Sequence, residues 1–370
     1  MSNTLITPTL IAERMLPQLF NNALGSQMVY LDYSNDFVQG VGSTVTVRVP
    51  AEFTAIEFDG DLSGQYQNIT ESSISVAMNT IATTDVVITS QELTQDLDAL
   101  EARVLIPAAR SLMQKLDTDL FTEIYKGSYL TVGAAASTPD ALSDFTGVRK
   151  ELNEQNAPFS DRFLVVNADA EEKFLQLDTL VEADKSGATQ ALREGSIGRV
   201  MGLGTFSSNN IQSHVIGTLD AGALTTGTAG SKTLTIASGG NAGTVKKGDI
   251  LTITGGISHV ATALATMSSG GAGTVYVEPA VPAGNYAGAA TALTANHVGN
   301  VGFQKEAIAL VSRPLAPAMG GAQSASLSYN GLNLRVTWDY DMDTKSNVLS
   351  MDMIYGIRIL RYNNVIRLLG

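Results

Sequence analysis

From Gly217 to Ala295 the chain carries only six charged residues: Asp220, Lys232, Lys246, Lys247, Asp249 and Glu278. Gly, Ala, Thr and Ser dominate this stretch, in short alternating runs such as KTLTIA, DILTITG and TVYVEP separated by glycine turns. Regularly spaced short strands of that kind predict a small all-β unit, a barrel or a sandwich. The same composition suits low-complexity disorder, but the alternating valines and isoleucines favour an ordered unit. Beyond it, AIALVSRPL resumes a strand pattern like the one before it. The β unit, residues 217–298, is therefore expected as an insertion into a larger domain.

The rest of the chain is mixed. Residues 1–42 read as an arm with a short helix, roughly Leu10 to Leu24. From Ser43, Val45, Val47 and Val49 alternate with Thr46 and Arg48, and a second alternating run spans Ser73 to Thr89. The polar stretch AEFTAIEFDGDLSGQYQNITES lies between them, so residues 43–89 predict an extended hairpin whose tip is too long for a tight turn. Over 90–127, Leu93, Leu97, Leu100, Val104, Ala108, Leu112, Leu116, Leu120 and Ile124 recur every three or four residues, a single apolar helical stripe. Thirty such residues would make a helix about 45 Å long, which Pro107 is expected to kink or divide. Residues 128–216 predict a helix from Pro139 to Gln155, a strand from Arg162 to Asn167 and a helix from Ala168 to Leu177, and the next apolar stretch ends at the glycines of RVMGLGTF. Residues 299–370 close with NGLNLRVTWDYD and SNVLSMDMIYGIRILR, read as a paired hairpin.

Composition and motifs exclude several functions. The 370 residues include no cysteine, which removes disulfide frameworks, thiolate metal sites and cysteine nucleophiles. A formal charge of −13 argues against a dedicated nucleic-acid binder. No apolar run reaches eighteen residues, and MSNTLITPTLIAERM lacks the basic and apolar regions of a signal peptide, so a soluble chain made inside the cell is expected. His214, His259 and His297 are isolated in sequence. Asp339, Asp341 and Asp343 imitate the start of a calcium loop, but Thr344 stands where the turn glycine belongs and Ser350 where the bidentate glutamate belongs. GLGTFS lacks the third glycine of a dinucleotide fingerprint, and GTAGSKT has its lysine out of P-loop order. No catalytic, cofactor or metal site is predicted, and the chain is not expected to be an enzyme.

Charge is distributed unevenly. Between Arg48 and Arg103 there is no lysine or arginine, while ten acids fall there: Glu52, Glu57, Asp59, Asp61, Glu71, Asp85, Glu92, Asp96, Asp98 and Glu101. The last four suit the start of a helix. The loop acids lack such a reason, and a two-stranded arm alone is marginally stable in water. Docking of the arm on a neighbouring copy is the expectation, with Glu52, Glu57, Asp59 and Asp61 meeting the basic C-terminal residues Arg358, Arg361 and Arg367.

The order of these parts resembles the major capsid protein of tailed double-stranded DNA phages, the HK97-like fold, α+β in class. The nearest variant is the podovirus coat-protein family with an inserted β-barrel domain. VTVRVP, the 90–126 helix, RFLVVNADAEEKFLQLDTLVEAD, KKGDILTITGG, AIALVSRPL and YGIRILR carry the likeness, and together they span most of the chain. The resemblance implies an N-terminal arm (1–42) and an E-loop hairpin with flanking strands (43–89, its reach at 51–72). It further implies a spine helix of a peripheral domain (90–127), an axial and peripheral α/β domain (128–216 and 299–370) and an outward-facing insertion domain (217–298). It implies self-assembly as pentamers and hexamers, with a scaffolding protein, a portal protein and packaged DNA held non-specifically, in a shell held either by non-covalent contacts or by an added decoration or cement protein. It implies a virion capsid assembled in the host cytoplasm, and neither membrane nor cofactor is expected. Some shells of this fold are welded through an E-loop lysine; no lysine lies between 49 and 102 here, so that bond is excluded at that place. An encapsulin-like nanocompartment shell is the alternative.

Overall fold

The computed structural model describes residues 24–31, 44–49, 55, 57, 66, 72–89, 106–182, 193–219, 222–237, 242–253, 258–268, 271–282, 289–318, 322–344 and 346–370. In chain order these hold α1 (Leu24–Met28), β1 (Thr44–Val49), β2 (Ser72–Ala77), β3 (Thr80–Thr89), α2 (Ile106–Gly127), β4 (Leu130–Val132), α3 (Leu142–Glu154), β5 (Arg162–Val166), α4 (Ala168–Leu175) and α5 (Asp178–Val181). There follow β6 (Arg199–Val200), β7 (Leu203–Ser207), β8 (Ser213–His214), β9 (Gly222–Gly227), β10 (Thr233–Ala237), β11 (Gly243–Val245), β12 (Ile250–Ile253), β13 (Ser258–Ala261), β14 (Ala265–Met267), β15 (Ala272–Glu278) and β16 (Ala289–Leu293). The chain ends with β17 (His297–Gln304), β18 (Ile308–Arg313), β19 (Gln323–Tyr329), β20 (Leu332–Asp341), β21 (Ser346–Ile359) and β22 (Val365–Leu369). They form two compact units, with described residues within 31–109 and 309–360 in one, and within 24–30, 110–308 and 361–370 in the other. The expected helix from Leu10 lies outside the described residues except for Leu24, as do Leu93 to Val104 of the apolar stripe.

In the first unit β1 and β2 pair antiparallel, from Thr44 opposite Ala77 to Val49 opposite Ser72. The hairpin stem is therefore present. The run from Ser73 to Thr89 is two strands rather than one, broken at Met78 and Asn79, and β3 turns away to pair with β21 from Thr80–Tyr355 to Thr89–Ser346. In the five-stranded sheet β21 also neighbours β18 and β20, and β20 carries β19. The expected closing hairpin is β20 with β21, Arg335 opposite Asp352. Alternation gives the sheet one dry face, where Ala82, Ile88, Leu334, Val336, Leu349, Met351 and Met353 are buried while Ile81 and Val87 point outward. Gly356 sits where β2 ends, and a Cβ there would lie 2.4 Å from the Ala77 carbonyl oxygen. Only glycine admits that approach.

The second unit is built on the sheet β4-β22-β17-β5-β7-β6, with β8 on β17. The β22–β4 and β5–β7 pairs are parallel, and the other registered pairs are antiparallel. The final strand is thus Val365–Leu369 rather than the YGIRILR segment. Helices α3 and α4 cover one face, where Phe145, Val148, Leu152, Ala170 and Phe174 pack on Leu164, Val166, Leu203, Ile366 and Leu368. Asn167 starts α4 because its side chain accepts the Ala170 N–H, and Asp169 and Glu171 suit the positive end of the helix. RVMGLGTF becomes the β6–β7 hairpin, with Met201 (φ 51°) and Gly202 (φ 84°) both left-handed in its two-residue turn. In α2, Leu112, Leu116, Leu120 and Ile124 are fully buried, as the stripe requires. Pro107 falls in the first turn of α2, where a missing N–H costs nothing.

The charge-poor stretch folds as a closed six-stranded antiparallel barrel, β10-β15-β13-β12-β16-β9, with a β11–β14 ribbon beside it. Leu234, Ile236, Leu251, Ile253, Val275 and Val277 fill its interior, joined by Val245 and Met267 from the ribbon. Closure leaves the barrel without an open edge strand.

Candidate functional site

Two regions bear on function: the surfaces at which acids and arginines were expected to meet, and a buried polar cluster beneath the barrel. At the hairpin tip the structure describes Ala55, Glu57 and Tyr66, all exposed, Tyr66 at 79%. Glu52, Asp59 and Asp61 lie outside the described residues. Arg358 is exposed on β21 and Arg361 is half-buried. Arg367 corrects the expectation: it is fully buried on β22, inside its own chain, and belongs to no surface.

What Arg367 does is read from its partners. Its Nη2 donates to the carbonyls of Tyr125 and Ser128, and its Nη1 donates to the Gly248 carbonyl at 2.9 Å. The first two carbonyls end α2, where the last turn lacks intrahelical donors and the helix dipole is negative, so a buried cation is accommodated there. Nη1 also reaches His297 Nε2 at 3.1 Å. A guanidinium only donates, so Nε2 accepts and His297 is neutral, its Nδ1–H donating to Ala295 O at 2.7 Å. Burial, with the adjacent guanidinium adding to it, lowers the His297 pKa to about 4. Burial likewise draws Arg367 down to about 9, opposed by Tyr125 and Asp249, which leaves it charged at neutral pH.

Asp249 supplies the opposite charge, and it too is fully buried. Its Oδ2 accepts the Gly217 N–H at 3.0 Å and the Lys246 N–H at 2.7 Å, and its Oδ1 accepts His214 Nε2 at 2.7 Å. The His214 ring stands edge-on to Tyr125 and 5.4 Å from the His297 ring. The two histidines, isolated in sequence, are opposite one another on β8 and β17. They do not form a metal site: among the described residues no group of His, Asp and Glu is placed to hold an ion. His259 lies apart in the barrel, its Nδ1 against the Pro279 carbonyl at 3.0 Å.

A second buried carboxylate clamps α1. Asp117, on α2, accepts the Gly25 N–H at 3.1 Å at the start of that short helix. Burial raises its pKa to about 6 against the lowering effect of the Gly25 and Leu24 N–H groups and of Asn210. A Cβ on Gly25 would come within 2.4 Å of Leu120. Of the rejected motifs, Asp341 accepts from the Asp343 N–H and the Thr344 hydroxyl in an ordinary turn. Lys232 of GTAGSKT pairs with Glu278 at 2.6 Å across the barrel surface. None of these arrangements sets a nucleophile beside a base.

The architecture is the HK97-like fold of phage capsid proteins. A structure from Mycobacterium phage Che8 superposes with a TM-score of 0.55 at 16% identity, over 94% of this chain and 90% of that one. The capsid structure of cyanophage P-SCSP1u gives 0.49 at 12% identity, over 89% and 84%. The virus-like particle from Pyrococcus furiosus gives 0.41 at 10% identity, over 96% and 98%. No curated protein matches by sequence. Residues 3–276 match the family model described as P22 coat protein, gene protein 5, and the chain belongs to that family. It is a phage coat protein, a structural component of a virion shell, and this family weighs against the nanocompartment alternative.

Proposed function

We propose that this coat protein closes as pentamers and hexamers into the icosahedral shell of a tailed phage, around double-stranded DNA, after assembly in the host cytoplasm. Its role is structural rather than catalytic. Membership of the coat-protein family, on a chain whose β1 and β2 pair as a two-stranded stem, carries the reading. The stem (43–89) acts as an E-loop reaching an adjacent subunit, α2 as the spine, 128–216 with 299–370 as the axial and peripheral parts, and 217–298 as the insertion domain. Individually modest contacts suffice because many are made at once. A net charge of −13 keeps packaged DNA from adhering to the wall. A scaffolding protein, a portal protein and a decoration protein complete the partners.

Within this reading Glu52, Glu57, Asp59 and Asp61 face Arg358 and Arg361 of another copy, and Arg367 takes no part. Glu57 and Arg358 are both exposed, which supports the pairing. The test is negative-stain electron microscopy of the protein expressed in bacteria, alone and with its upstream neighbour gene. Closed shells tens of nanometres across, or tubes and spirals when the neighbour is left out, are expected. Small discrete oligomers under both conditions overturn the shell. The double reversal Glu57→Lys with Asp59→Lys is expected to impair assembly and leave the monomer folded; unimpaired assembly overturns the charge pairing.

A further inference from the structure

The barrel is joined to its unit by two connectors that run side by side. The entry leaves β8 at His214, the exit returns on β17 at His297, and these residues are directly opposite. Two adjacent connectors alone make a hinge. A third contact removes that freedom: the barrel turn Lys246–Asp249 lies against the C-terminal end of α2. Lys247 Nζ is 2.6 Å from Glu123 Oε2, and a Cβ on Gly248 would come within 2.7 Å of Lys126 Cγ. The Gly248 carbonyl is then taken by Arg367 Nη1. Arg367 therefore bonds the barrel turn, the end of α2 and the exit histidine together, 119 residues from Gly248 in sequence. Asp249 binds the entry, through His214 and the Gly217 N–H, to the same turn.

We infer that Arg367 is a latch that holds the inserted barrel in one orientation on the body of the chain, and that it closes only when β22 has joined the sheet. The barrel interior contains none of the latch atoms, so barrel formation and barrel docking are separable events. The latch lies within a single chain and does not depend on how the shell is assembled. Its parts also explain why the cluster is so polar. A buried cation with directional acceptors on three elements tolerates few arrangements, whereas an apolar contact of the same size could slide.

The experiment is amide hydrogen exchange on the full-length monomer. In Arg367→Met the amides of Gly217, Lys246 and Val298 are expected to exchange at least tenfold faster. Amides inside the barrel (Leu234, Val277) and in the body sheet (Val301) should stay within about twofold of the parent. Arg367→Lys keeps the charge but lacks the fork that reaches several carbonyls, and falls between. Uniform acceleration across barrel and body would mean that Arg367 merely stabilises the fold, and would overturn the latch; so would no change at the connectors. If Arg367→Met does not fold, the rim pair decides. Lys247→Glu should speed exchange at Gly217 and Lys246 a few-fold, and adding Glu123→Lys should restore the parent rates. Failure to restore them overturns the docking contact on which the latch rests.

Discussion

The barrel interior and the cluster beneath it are both buried, yet they rest on opposite chemistry. Inside the barrel, Leu234, Ile236, Leu251, Val275 and Val277 offer no polar side-chain atom. Beneath it, Arg367, Asp249, His214 and His297 are buried with their charges and ring nitrogens directed at named partners. Apolar burial is non-directional and drives closure of the barrel. A buried polar network contributes little net stability but is costly to break, here even with Arg367 Nε left without a partner, so it specifies where the closed barrel sits. Removing a partner should therefore be worse in the cluster than removing a comparable bulk of side chain in the barrel.

The largest effect is expected from Asp249→Ala. It strips the acceptor from the Gly217 and Lys246 N–H groups and from His214, and removes the counter-charge of Arg367. A loss of about 4 kcal/mol follows from leaving a buried charge uncompensated, read by urea unfolding of the monomer. Leu234→Ala should cost about 3 kcal/mol, as a cavity in a barrel that cannot collapse. If Leu234→Ala proves the more damaging, the contrast between the two regions fails.

Acid sharpens the comparison further. His297 has its folded pKa lowered from the ordinary 6.5 to about 4, so its contribution is complete above pH 6.5 and is lost as pH falls towards 4. Arg367, His214, Asp249 and Tyr125 face it, and a protonated ring would confront the guanidinium with a second cation. Asp117 runs the other way. Its folded pKa is raised from 3.8 to about 6, so its contribution is complete below pH 3.8 and is lost as pH rises through 6. At pH 5 the barrel cluster should be weaker by about 2 kcal/mol and the α1 clamp stronger by about 1 kcal/mol than at pH 7. Global unfolding would nearly hide the pair. Protection factors at Val298 and at Gly25, corrected for the intrinsic pH dependence of amide exchange, should move in opposite directions, and parallel movement would break the assignment. The smallest effect concerns neither region: Asn167→Ala removes the α4 cap and should cost about 1 kcal/mol, seen as a small fall in thermal midpoint.

Much of the fold was legible because it follows from periodicity. The two-residue alternation of Val45, Val47 and Val49, the stripe through Leu112, Leu116, Leu120 and Ile124, and the short runs after Gly217 each state the geometry they adopt. The break at Met78 and Asn79 was not legible, because alternation continues across it while the pairing partner changes from β1 to β21. Arg367 was misread by sign alone. Its neighbours say more: in Val-Ile-Arg-Leu-Leu every flanking side chain is apolar, which marks a strand buried on both faces. The histidine pair was hidden by 82 intervening residues, but His214 and His297 bracket the charge-poor stretch almost symmetrically. That bracketing is the signal for two ends brought together by an insertion. The loop acids carry no periodicity, so nothing in the sequence pattern says what they meet.

The doorway of the barrel has a practical meaning. Opposed residues on antiparallel strands have Cα atoms about 5 Å apart, so His214 and His297 open and close the insertion almost at one point. To the sheet that hosts it, the module spans no distance. Such a site can accept a whole folded module whose own ends are adjacent without rerouting a single host strand, provided the module also meets the buried Arg367, which the barrel serves through Gly248 and Asp249. A foreign domain grafted between Val215 and Asn296 would inherit that tolerance, and with it a place on a particle made of many identical chains.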